Sequence, residues 1–406
     1  MRMIVQKFGG TSVKDEKSRN LAIGHIKNAL AEGYKVVVVV SAMGRKGDPY
    51  ATDTLLSLIG GAQSLISKRE QDLLLSCGEA ISSVVFSNLL HEAGVNATSL
   101  TGAQAGFLTT DDHTNAKIIK MNCERVIEEL EQHDVVVVAG FQGAAQNGDI
   151  TTIGRGGSDT SAAALGAALK AEVIDIFTDV EGIMTADPRI AENARPLSVV
   201  TYTEVCNMAY QGAKVIHPRA VEIAMQAKVP IRIRSTYSDS EGTLVTSSSN
   251  NHRGSDIKER TVTGIAHLSP VTQIKVLAKK GQYNLQAEVF KSMANEKISV
   301  DFINISPNGV VYTVSKEMTD KALAVLRDLG HEPEFEKDCA KVSVVGAGIA
   351  GVPGVTSKIV SALSENGIRI LQSADSHTTI WVLVKEEDLV TAVNSLHDAF
   401  NLDEEN

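Results

Sequence analysis

Over the first 245 residues, short apolar runs alternate with stretches in which apolar residues recur at helical spacing. The runs predict buried strands, and the periodic stretches predict helices between them. This alternation is typical of an α/β domain with a mostly parallel sheet. The predicted strands are residues 4–8, 35–41, 97–101, 135–141, 173–178 and 231–235, and the helices are marked by Leu21, Ile26 and Leu30 and by Leu73, Ile81 and Val84.

A polar stretch without apolar periodicity begins at residue 246 and predicts a surface linker. Beyond it the chain repeats with an offset of 70 residues, because Ile298 corresponds to Ile368 (368 − 298) and Met293 to Leu363 (363 − 293). Each copy predicts the order strand, helix, strand, strand, helix, which is that of a small ferredoxin-like unit. The predicted boundaries are a first domain at 1–245, a linker at 246–262 and two repeats at 263–335 and 336–406.

Composition and charge narrow the class of protein. With 406 residues, of which 43% are apolar, the chain is long enough for two or three packed domains. Its formal net charge of −10 argues against nucleic-acid binding, which needs clustered Lys and Arg side chains. The first residues run into a strand without a signal-peptide pattern, and no apolar run approaches the roughly 20 residues of a membrane helix. We therefore expect a cytoplasmic protein without a membrane role.

The four cysteines are far apart and form no C-x-x-C pair: Cys77, Cys123, Cys206 and Cys339. This spacing favours neither a zinc site nor a disulfide framework. We expect buried, unreactive thiols and no metal site built from protein side chains alone.

The first candidate motif lies where a predicted strand ends and reads Lys7-Phe8-Gly9-Gly10-Thr11-Ser12-Val13. Glycines let backbone N–H groups approach a phosphate, and Lys7 would place a cation beside a transferred phosphoryl group. The chain has no G-x-x-x-x-G-K-[ST] pattern, which disfavours a P-loop kinase. For a Gly-Gly pair alone, a tight turn after an edge strand is the better explanation, so the other motifs must decide.

The second motif precedes a run of small residues at 162–169, which predicts a helix packed closely on the sheet, and reads Gly154-Arg155-Gly156-Gly157-Ser158-Asp159-Thr160-Ser161. A helix N-terminus behind a glycine loop binds anions, and the planar Arg155 guanidinium can grip a carboxylate with two hydrogen bonds. Ser158 or Asp159 is the expected N-cap. An ordinary capped helix would explain the Ser, Asp and Thr but not an arginine between glycines, so we favour a carboxylate site.

The third motif, at residues 177–189, follows a predicted buried strand. In an open α/β sheet, ligands bind outside the carboxyl ends of the strands, so this polar, turn-rich loop is a candidate nucleotide pocket. A polar surface loop is an equally good interpretation of the same residues.

Five motifs share one order and spacing: K-F-G-G-T-S-V, S-A-M-G at 41–44, G-R-G-G-S-D-T, T-D-V-x-G followed by A-D-P-R, and G-A-K-V-I-H-P at 212–218. Together they resemble the aspartokinases of the amino-acid kinase superfamily, and the C-terminal repeats resemble ACT domains. The resemblance covers essentially the whole chain. It implies an α/β amino-acid kinase fold, with a mostly parallel sheet sandwiched by helices, followed by two ferredoxin-like ACT domains. It also implies ATP-dependent phosphorylation of the L-aspartate β-carboxylate, the first step toward lysine, threonine, methionine and diaminopimelate.

The resemblance implies roles for individual residues. Lys7 would contact the transferred phosphoryl group, Lys214 would be a second lysine on the nucleotide side, and Asp159 would orient both lysines. The implied ATP-binding residues are Gly9, Gly10, Ser12, Ser41, Thr178, Asp179, Met184 and Arg189.

On the substrate side, the resemblance implies that Arg155 clamps a carboxylate of aspartate, that Glu79 meets its α-amino group and that Thr52 supplies a hydroxyl. Without the resemblance, Glu79 would count as an ordinary solvated residue on a helix. The remaining substrate-binding positions are Gly156, Gly157 and Ser158.

The chain departs from the family pattern in two places. Met184 stands where relatives often have tyrosine, so an aromatic contribution to adenosine binding is lost or replaced. The first repeat, at residues 279–284, lacks the Pro-Gly turn that the second keeps at residues 351–355. We therefore assign no effector contacts to this turn of the first repeat.

The β-carboxylate of aspartate is ionised at neutral pH, so the reaction needs positioning and charge neutralisation rather than a general base. We expect ATP and water to hold Mg²⁺, because the sequence shows no dedicated carboxylate cage. The family suggests a homodimer that binds lysine, threonine or diaminopimelate as effector. The candidate effector residues, which are equally consistent with ordinary exposed strand polars, are Asp301, Asn304, Gln372 and Ser373.

Two alternatives remain at this stage. One is another member of the superfamily, such as glutamate 5-kinase, acetylglutamate kinase or uridylate kinase, although residues 77–79, the G-R-G-G-S-D segment and the tandem repeats favour aspartate. The other is a catalytically silent amino-acid sensor. A silent sensor should have lost a chemical residue, yet Lys7, Asp159 and Lys214 are all present.

Overall fold

The structure, a computed structural model, describes residues 1–213, 215–247, 261–279, 282, 284–347, 349 and 352–404. Most of the predicted linker, residues 248–260, and residues 280, 281, 283 and 351 of the two repeat turns lie outside the described residues. The chain divides into two compact units. The first comprises Met1–Ile183, Pro196–Ala209 and Lys214–Ile257, and the second comprises Met184–Arg195, Tyr210–Ala213 and Lys258–Asn406. The domain boundaries drawn from the sequence stay predictions.

An eight-stranded sheet forms the centre of the first unit. Its strands are β1 (Met3–Phe8), β2 (Lys35–Val40), β3 (Ala97–Leu100), β6 (Val135–Ala139), β9 (Val173–Thr178), β10 (Val199–Thr201), β11 (Ile231–Ser235) and β12 (Thr243–Thr246). The order is β10-β12-β11-β9-β1-β2-β6-β3, and the described pairs are parallel except β11 with β12. This confirms the mostly parallel α/β prediction and all six predicted strands. From β1 the chain first adds strands on one side of the sheet and later on the other, so the carboxyl ends of β1 and β9 form a switch point.

A second, four-stranded sheet in this unit has the order β5-β4-β7-β8. Its strands, which the sequence did not predict, are β4 (Phe107–Thr109), β5 (Ile118–Met121), β7 (Gln142–Ala145) and β8 (Ile150–Thr152). The helices of the unit are α1 (Gly10–Val13), α2 (Glu16–Ala31), α3 (Thr52–Ser57), α4 (Lys68–Glu92), α5 (Glu124–Gln132), α6 (Gly157–Leu169), α7 (Tyr202–Tyr210) and α8 (Pro218–Ala227).

The core follows directly from composition. β2 carries valine at five successive positions, and all five are fully buried, because a parallel strand covered by helices on both faces needs apolar side chains on both. On one face, Phe8 and Phe177 stack with their ring centroids 4.7 Å apart. The ends of β1 and β9 are thereby held side by side where a site can form.

Helix α4 buries a different face from the one its apolar spacing suggests. Leu73 and Val84, whose spacing indicated the helix, are exposed, and the buried face combines Ser, Gly, Asp and Glu residues with Leu75, Phe86 and Leu90. The helix is also long and apolar enough to cross a membrane by length and composition, so the statement that no run approaches that length is wrong. Half of its apolar window is buried inside the protein, as in a core helix, which meets the same criteria. Finally, Cys77 on α4 is exposed rather than buried.

The second unit contains a six-stranded sheet with helices in a repeated order. Its elements are β13 (Gly264–Leu277), α9 (Leu285–Asn295), β14 (Asp301–Ser306), β15 (Gly309–Ser315), α10 (Thr319–Asp328), β16 (Glu334–Val345), α11 (Val355–Glu365), β17 (Gln372–Asp375), β18 (Thr379–Lys385) and α12 (Leu389–Ala399). The sheet order is β14-β15-β13-β16-β18-β17. β13 and β16 begin 70 residues apart (334 − 264), as do α9 and α11 (355 − 285) and β15 and β18 (379 − 309). This confirms the internal repeat and its strand-helix-strand-strand-helix order.

Candidate active site

A pocket opens in the first unit at the carboxyl ends of β1 and β2. It brings together the first glycine loop, Glu79 and the loop that carries Arg155, which lie far apart in the sequence. The predicted residues that line it are Lys7, Gly10, Ser41, Thr52, Glu79, Arg155, Gly156, Gly157, Ser158 and Asp159. The other lining residues are Ala42 and Gly44 of the S-A-M-G segment, Gly154 of the second motif, and Phe141, to which the sequence analysis gave no role.

The first glycine loop turns the chain from β1 into α1. A Cβ atom on Gly10 would lie 2.6 Å from the carbonyl oxygen of Gly44 and 2.9 Å from that of Ala42, so the close approach of these two loops requires glycine. The Gly44 N–H donates to the Gly10 carbonyl oxygen at 3.0 Å. The backbone of the loop that follows β2 therefore packs against the first glycine loop, the candidate phosphate-binding segment.

Lys7 and Asp159 form an ion pair with 2.7 Å between Nζ and Oδ1. Both side chains are largely buried, at 12% and 13% exposure, so the pair is far less screened than a surface ion pair. Asp159 lies in the first turn of α6, and the backbone N–H of His217 contacts its other carboxylate oxygen at 3.4 Å. The ion pair therefore fixes a cation at the carboxyl end of β1.

The loop formed by Gly154, Arg155 and Gly156, called the arginine loop below, requires glycines in a left-handed conformation. Gly156 has φ of +69° and is the N-cap of α6, so the prediction that Ser158 or Asp159 caps the helix is wrong. Any Cβ on Gly156 would come within 2.3 to 2.5 Å of the His217 side chain. Arg155 is exposed and makes no ion pair or hydrogen bond with a described residue. Its guanidinium is consequently available to a ligand.

Glu79 is a buried carboxyl group on α4, at 2% exposure, and is not the solvated residue expected from a helical glutamate. Its Oε1 accepts a hydrogen bond from the Ala42 N–H at 3.1 Å, and its Oε2 has no hydrogen-bond partner among the described residues. Burial raises the pKa of Glu79 to about 8, against the opposing effect of the Ala42 N–H. A cationic ligand group at Oε2 would relieve this cost.

Several predicted nucleotide residues do not line the pocket. Ser12 is fully buried, and its hydroxyl lies 2.7 Å from that of Thr236, so the hydroxyl is already hydrogen-bonded within the protein. Gly9 connects β1 to β9 instead, because its N–H donates to the Phe177 carbonyl oxygen at 3.4 Å. A Cβ on Gly9 would still approach Nζ of Lys7 at 3.4 Å, so Gly9 leaves room for that ammonium group.

The loop after β9 is polar and exposed. The Thr178 hydroxyl donates to Asp179 at 3.2 Å, and Arg45 pairs with Asp179 at 2.7 Å. This ion pair links the loop after β9 to the loop after β2, at the switch point of the sheet.

Three predicted residues fall elsewhere. Met184 and Arg189 belong to the second unit, where Arg189 is 87% exposed and pairs with Asp187 at 2.7 Å. Hydrogen bonding by Arg189 lowers the pKa of Asp187. Lys214 lies outside the described residues.

The four candidate effector residues lie on β14 and β17 of the second unit. Asp301 pairs with the buried Lys341 at 2.5 Å, and Gln372 donates to the Phe302 carbonyl oxygen and accepts from the Gln273 amide. Asn304 and Ser373 are exposed. Two of the four thus already have partners within the repeat pair.

Within the described part of the chain, no group of three or more His, Cys, Asp or Glu side chains is arranged to hold a metal ion. His217, which contacts both Asp159 and Gly156, is a site residue that sequence reasoning missed. The G-A-K-V-I-H-P motif contained it, but a histidine before a helix gives no sign of which loop it packs against.

Protein-family models match both the N-terminal and the C-terminal parts of this chain. A model of the amino acid kinase family matches residues 2–235, and a model of the ACT domain matches residues 334–398. Aspartokinase 1 of Bacillus subtilis is 72% identical over 402 residues, which cover 99% of this chain and 100% of that protein. The chain belongs to the aspartokinase family. The aspartokinase of Geobacillus stearothermophilus is 40% identical over 411 residues, covering 100% of this chain and 98% of the relative.

Solved structures agree with this membership. The crystal structure of E. coli aspartokinase III in complex with aspartate and ADP has a TM-score of 0.79 and 26% identity, covering 98% of this chain and 99% of that one. The structure of the same protein with lysine and aspartate has a TM-score of 0.77 and 27% identity, covering 99% and 100%. Family, fold class and aspartate kinase activity, all predicted from the sequence, are confirmed for this aspartokinase.

Proposed function

We propose that this aspartokinase transfers the γ-phosphoryl group of ATP to the β-carboxylate of L-aspartate in the pocket at the ends of β1 and β2. The observation that carries the proposal is the pocket's set of ionisable groups: a buried Lys7–Asp159 ion pair, a buried Glu79, and an exposed Arg155. Among the described residues, one oxygen of Glu79 has no hydrogen-bond partner and Arg155 has no ion-pair partner. The product would be 4-phospho-L-aspartate.

Two of these groups suit the two charged ends of an amino acid. The unpartnered Oε2 of Glu79 would accept a hydrogen bond from the α-ammonium group, and the Arg155 guanidinium would bind the α-carboxylate with two hydrogen bonds. Thr52 would add a hydroxyl, with Gly156, Gly157 and Ser158 shaping the wall of the pocket. Two opposite charges at a fixed spacing select for an amino acid and leave the side-chain carboxylate as the free end.

The third group serves the phosphoryl transfer. Lys7 would neutralise charge that develops on the phosphate oxygens, and Asp159 would hold Lys7 in place. No side chain needs to remove a proton, because the β-carboxylate is ionised at neutral pH. The backbone around Gly10 and Gly44 would approach the phosphates closely.

ATP is proposed as the phosphoryl donor on two grounds: the ADP in the E. coli aspartokinase III structure and the polar loop at the switch point between β1 and β9. The proposed nucleotide residues of the first unit are Gly9, Gly10, Ser12, Ser41, Thr178 and Asp179. Met184 and Arg189, which belong to the second unit, and Lys214, which lies outside the described residues, are proposed from the family resemblance alone. For Ser12 the hydrogen bond to Thr236 leaves only its backbone for this role.

Mg²⁺ is proposed as the accompanying cation. It would neutralise charge on the phosphates of ATP when bound. The described residues offer no cluster of carboxylates for it, which suits an ion held mainly by the nucleotide and water.

For regulation, we propose a homodimer whose repeat pair binds an amino-acid effector: lysine, threonine or diaminopimelate. Lysine accompanies aspartate in one E. coli aspartokinase III structure, which favours testing it first. Asp301, Asn304, Gln372 and Ser373 remain the proposed contacts, and the cytoplasmic location remains a prediction.

The proposal is tested by ATP- and Mg²⁺-dependent acyl-phosphate formation, trapped with hydroxylamine as a hydroxamate. Aspartate is compared with glutamate, N-acetylglutamate and UMP, and each effector is then added. Turnover with aspartate alone supports the proposal. Turnover with another acceptor, or none with aspartate, would replace it with another activity of the superfamily or with a silent sensor.

A further inference from the structure

Helix α4 carries two buried carboxyl groups on one face. Asp72 is fully buried and Glu79 is 2% exposed, and their separation of seven positions (79 − 72) corresponds to about two helical turns. Glu79 lines the pocket, whereas Asp72 does not. The buried carboxyl group of Asp72 therefore has no place in the proposed chemistry and needs a separate explanation.

The partners of Asp72 come from two other segments of the first unit. Its Oδ1 accepts a hydrogen bond from the Thr152 hydroxyl at 2.5 Å, and both oxygens accept from the Thr114 N–H, at 3.1 and 3.0 Å. Its Oδ2 lies 2.8 Å from Nδ1 of His113. One carboxylate thus joins α4 to the end of β8 and to the loop that precedes β5.

Both segments lead to the arginine loop. Thr152 is the last residue of β8, and the chain continues through Ile153 and Gly154 to Arg155. Gly154 has φ of +83° and packs so closely on the other segment that its Cβ would lie 3.2 Å from the carbonyl oxygen of Thr114. Whatever holds Thr152 and Thr114 therefore holds the start of the loop that carries Arg155.

The backbone of Thr114 is strained, which indicates that its contacts with Asp72 and Gly154 are strong enough to fix its conformation. Its φ is +70°, a left-handed conformation that is costly for a β-branched residue and persists only where the surroundings enforce it. The hydrogen bonds from its N–H to Asp72 are part of that enforcement. A second fixed point is Arg219, which donates to the carbonyl oxygens of Ile153 and Ala116 at 3.1 and 3.2 Å.

We infer that Asp72 is a positioning residue that fixes the spacing between Glu79 and Arg155, and so sets how an amino acid is held by its two charged ends. Asp72 acts through the helix on one side and through Thr152, Thr114 and His113 on the other. This inference rests on the proposed function, because it assigns Glu79 and Arg155 to one substrate.

Stability alone is a weaker explanation for this carboxylate. The comparable buried Asp175 is paired with Arg232 at 2.7 Å, whereas the described partners of Asp72 are a hydroxyl, a backbone N–H and an imidazole. A buried carboxyl group whose only possible cationic partner among the described residues is an imidazole gains less from pairing than one held by a guanidinium. Geometric control of the arginine loop explains why it is there.

The test uses neighbouring threonines on β8. Thr152→Val removes the hydroxyl that bonds Asp72, and Thr152→Ser keeps it. Thr151→Val is the matched control, because Thr151 is equally buried but its hydroxyl lies 2.5 Å from that of Thr109. Steady-state KM values for aspartate and for ATP are measured in each full-length variant. KM does not depend on how much of the preparation is folded, so partial misfolding does not mimic the effect.

Thr152→Val should raise the aspartate KM by about tenfold or less, because only the resulting change in the spacing of Glu79 and Arg155 reaches the substrate, and should leave the ATP KM within about twofold. Thr152→Ser and Thr151→Val should retain the wild-type aspartate KM. His113→Ala, which removes a partner near the surface, should shift the aspartate KM in the same direction and replaces Thr152→Val if that protein does not fold.

The outcomes separate this inference from the proposed function. If the wild type fails to turn over aspartate, the proposed function fails, and this inference with it. If the wild type is active but Thr152→Val and His113→Ala keep its aspartate KM, only the positioning role of Asp72 is overturned. Equal increases in Thr152→Val and Thr151→Val would overturn it as well, since they would show a general effect of altering β8.

Discussion

At the residue scale, Glu79 is a carboxyl group that burial keeps mostly protonated at neutral pH, because it raises the pKa to about 8. Because burial raises its pKa to about 8, free enzyme below that pH must lose a proton before Glu79 can bind an ammonium group. We expect kcat/KM for aspartate to rise with pH and level off above about 8. The rise should disappear in Glu79→Gln, whose kcat/KM is low throughout. A pH profile of that variant with the wild-type rise would assign the ionisation to another group.

The same shift predicts a pH dependence of stability. The folded-state pKa of Glu79 lies above its ordinary value of 4.5, so between pH 4.5 and about 8 the folded state binds more protons than the unfolded state. The free energy of unfolding contributed by this group is therefore fully present below pH 4.5 and is lost as pH rises through about 8. Chemical denaturation of the ligand-free protein should show a smaller decline over this range in Glu79→Gln than in the wild type. Identical declines would argue that Glu79 is not desolvated.

The ion pair with Asp159 fixes the ammonium group of Lys7, whose proposed role is to neutralise charge on the transferred phosphoryl group. Lys7→Ala should lower kcat by about a thousandfold or more, because a preorganised charge at the phosphoryl group is lost. The matched control is Lys35→Ala, since Lys35 pairs with Asp134 at 2.9 Å on the surface, at the opposite end of the neighbouring strand. That variant should keep wild-type kcat and lose less than about 1 kcal/mol of stability. A Lys7→Ala enzyme with near-normal kcat would remove the proposed charge role.

At the scale of loops and helices, the arginine loop depends on two separate properties of Gly156. An alanine there meets the strain of φ +69° and the His217 side chain, whereas Gly148, with φ of +87° at the β7–β8 turn, has open space around a Cβ. Gly148→Ala should cost about 1 kcal/mol of stability and leave activity unchanged. Gly156→Ala should cost more and also raise the aspartate KM. Equal behaviour of the two variants in denaturation and kinetics would mean that the contact with His217 does not shape the loop.

Helix α4 has a capping box at its start, in which Ser67 accepts from the Glu70 N–H and Glu70 accepts from the Ser67 N–H. Ser67→Ala should lower the free energy of unfolding by about 1 kcal/mol, and Ser67→Thr should retain most of it. Denaturant titration measures both. Because Asp72 and Glu79 lie further along the helix, we expect Ser67→Ala to keep the aspartate KM, and a raised KM would show that fraying reaches the site.

The elements also show where sequence reasoning succeeds and fails. The five-valine run of β2 predicts its strand because burial on both faces demands apolar residues throughout. The strands of the second sheet are only three or four residues long, too short to show a periodicity, and β7 and β8 consist mainly of Gly, Ala and Thr. The N-cap of α6 was misplaced because a left-handed glycine leaves no side-chain signature. Motifs recognised by resemblance found Glu79, but only the fold shows that it is buried.

At the scale of the whole molecule, the two units differ in how much of their structure the sequence predicts. The repeat in the second unit was predictable from one register of 70 residues, because each copy must bury the same face of the same elements. The pocket in the first unit draws on residues from position 7 to position 159, which only the parallel sheet brings to one edge. For that reason the sequence around Asp72 and His217, whose partners lie in distant segments, does not indicate what these residues contact.

The central claim is that the pocket activates the side-chain carboxylate of aspartate while Glu79 and Arg155 hold its other two charged groups. The most direct test is to identify the hydroxamate formed from aspartate, ATP, Mg²⁺ and hydroxylamine by mass spectrometry and NMR, together with the ADP released. We predict β-aspartyl hydroxamate and ADP in equal amounts, both absent with Lys7→Ala. Formation of α-aspartyl hydroxamate, or of ADP without any hydroxamate, would contradict this account.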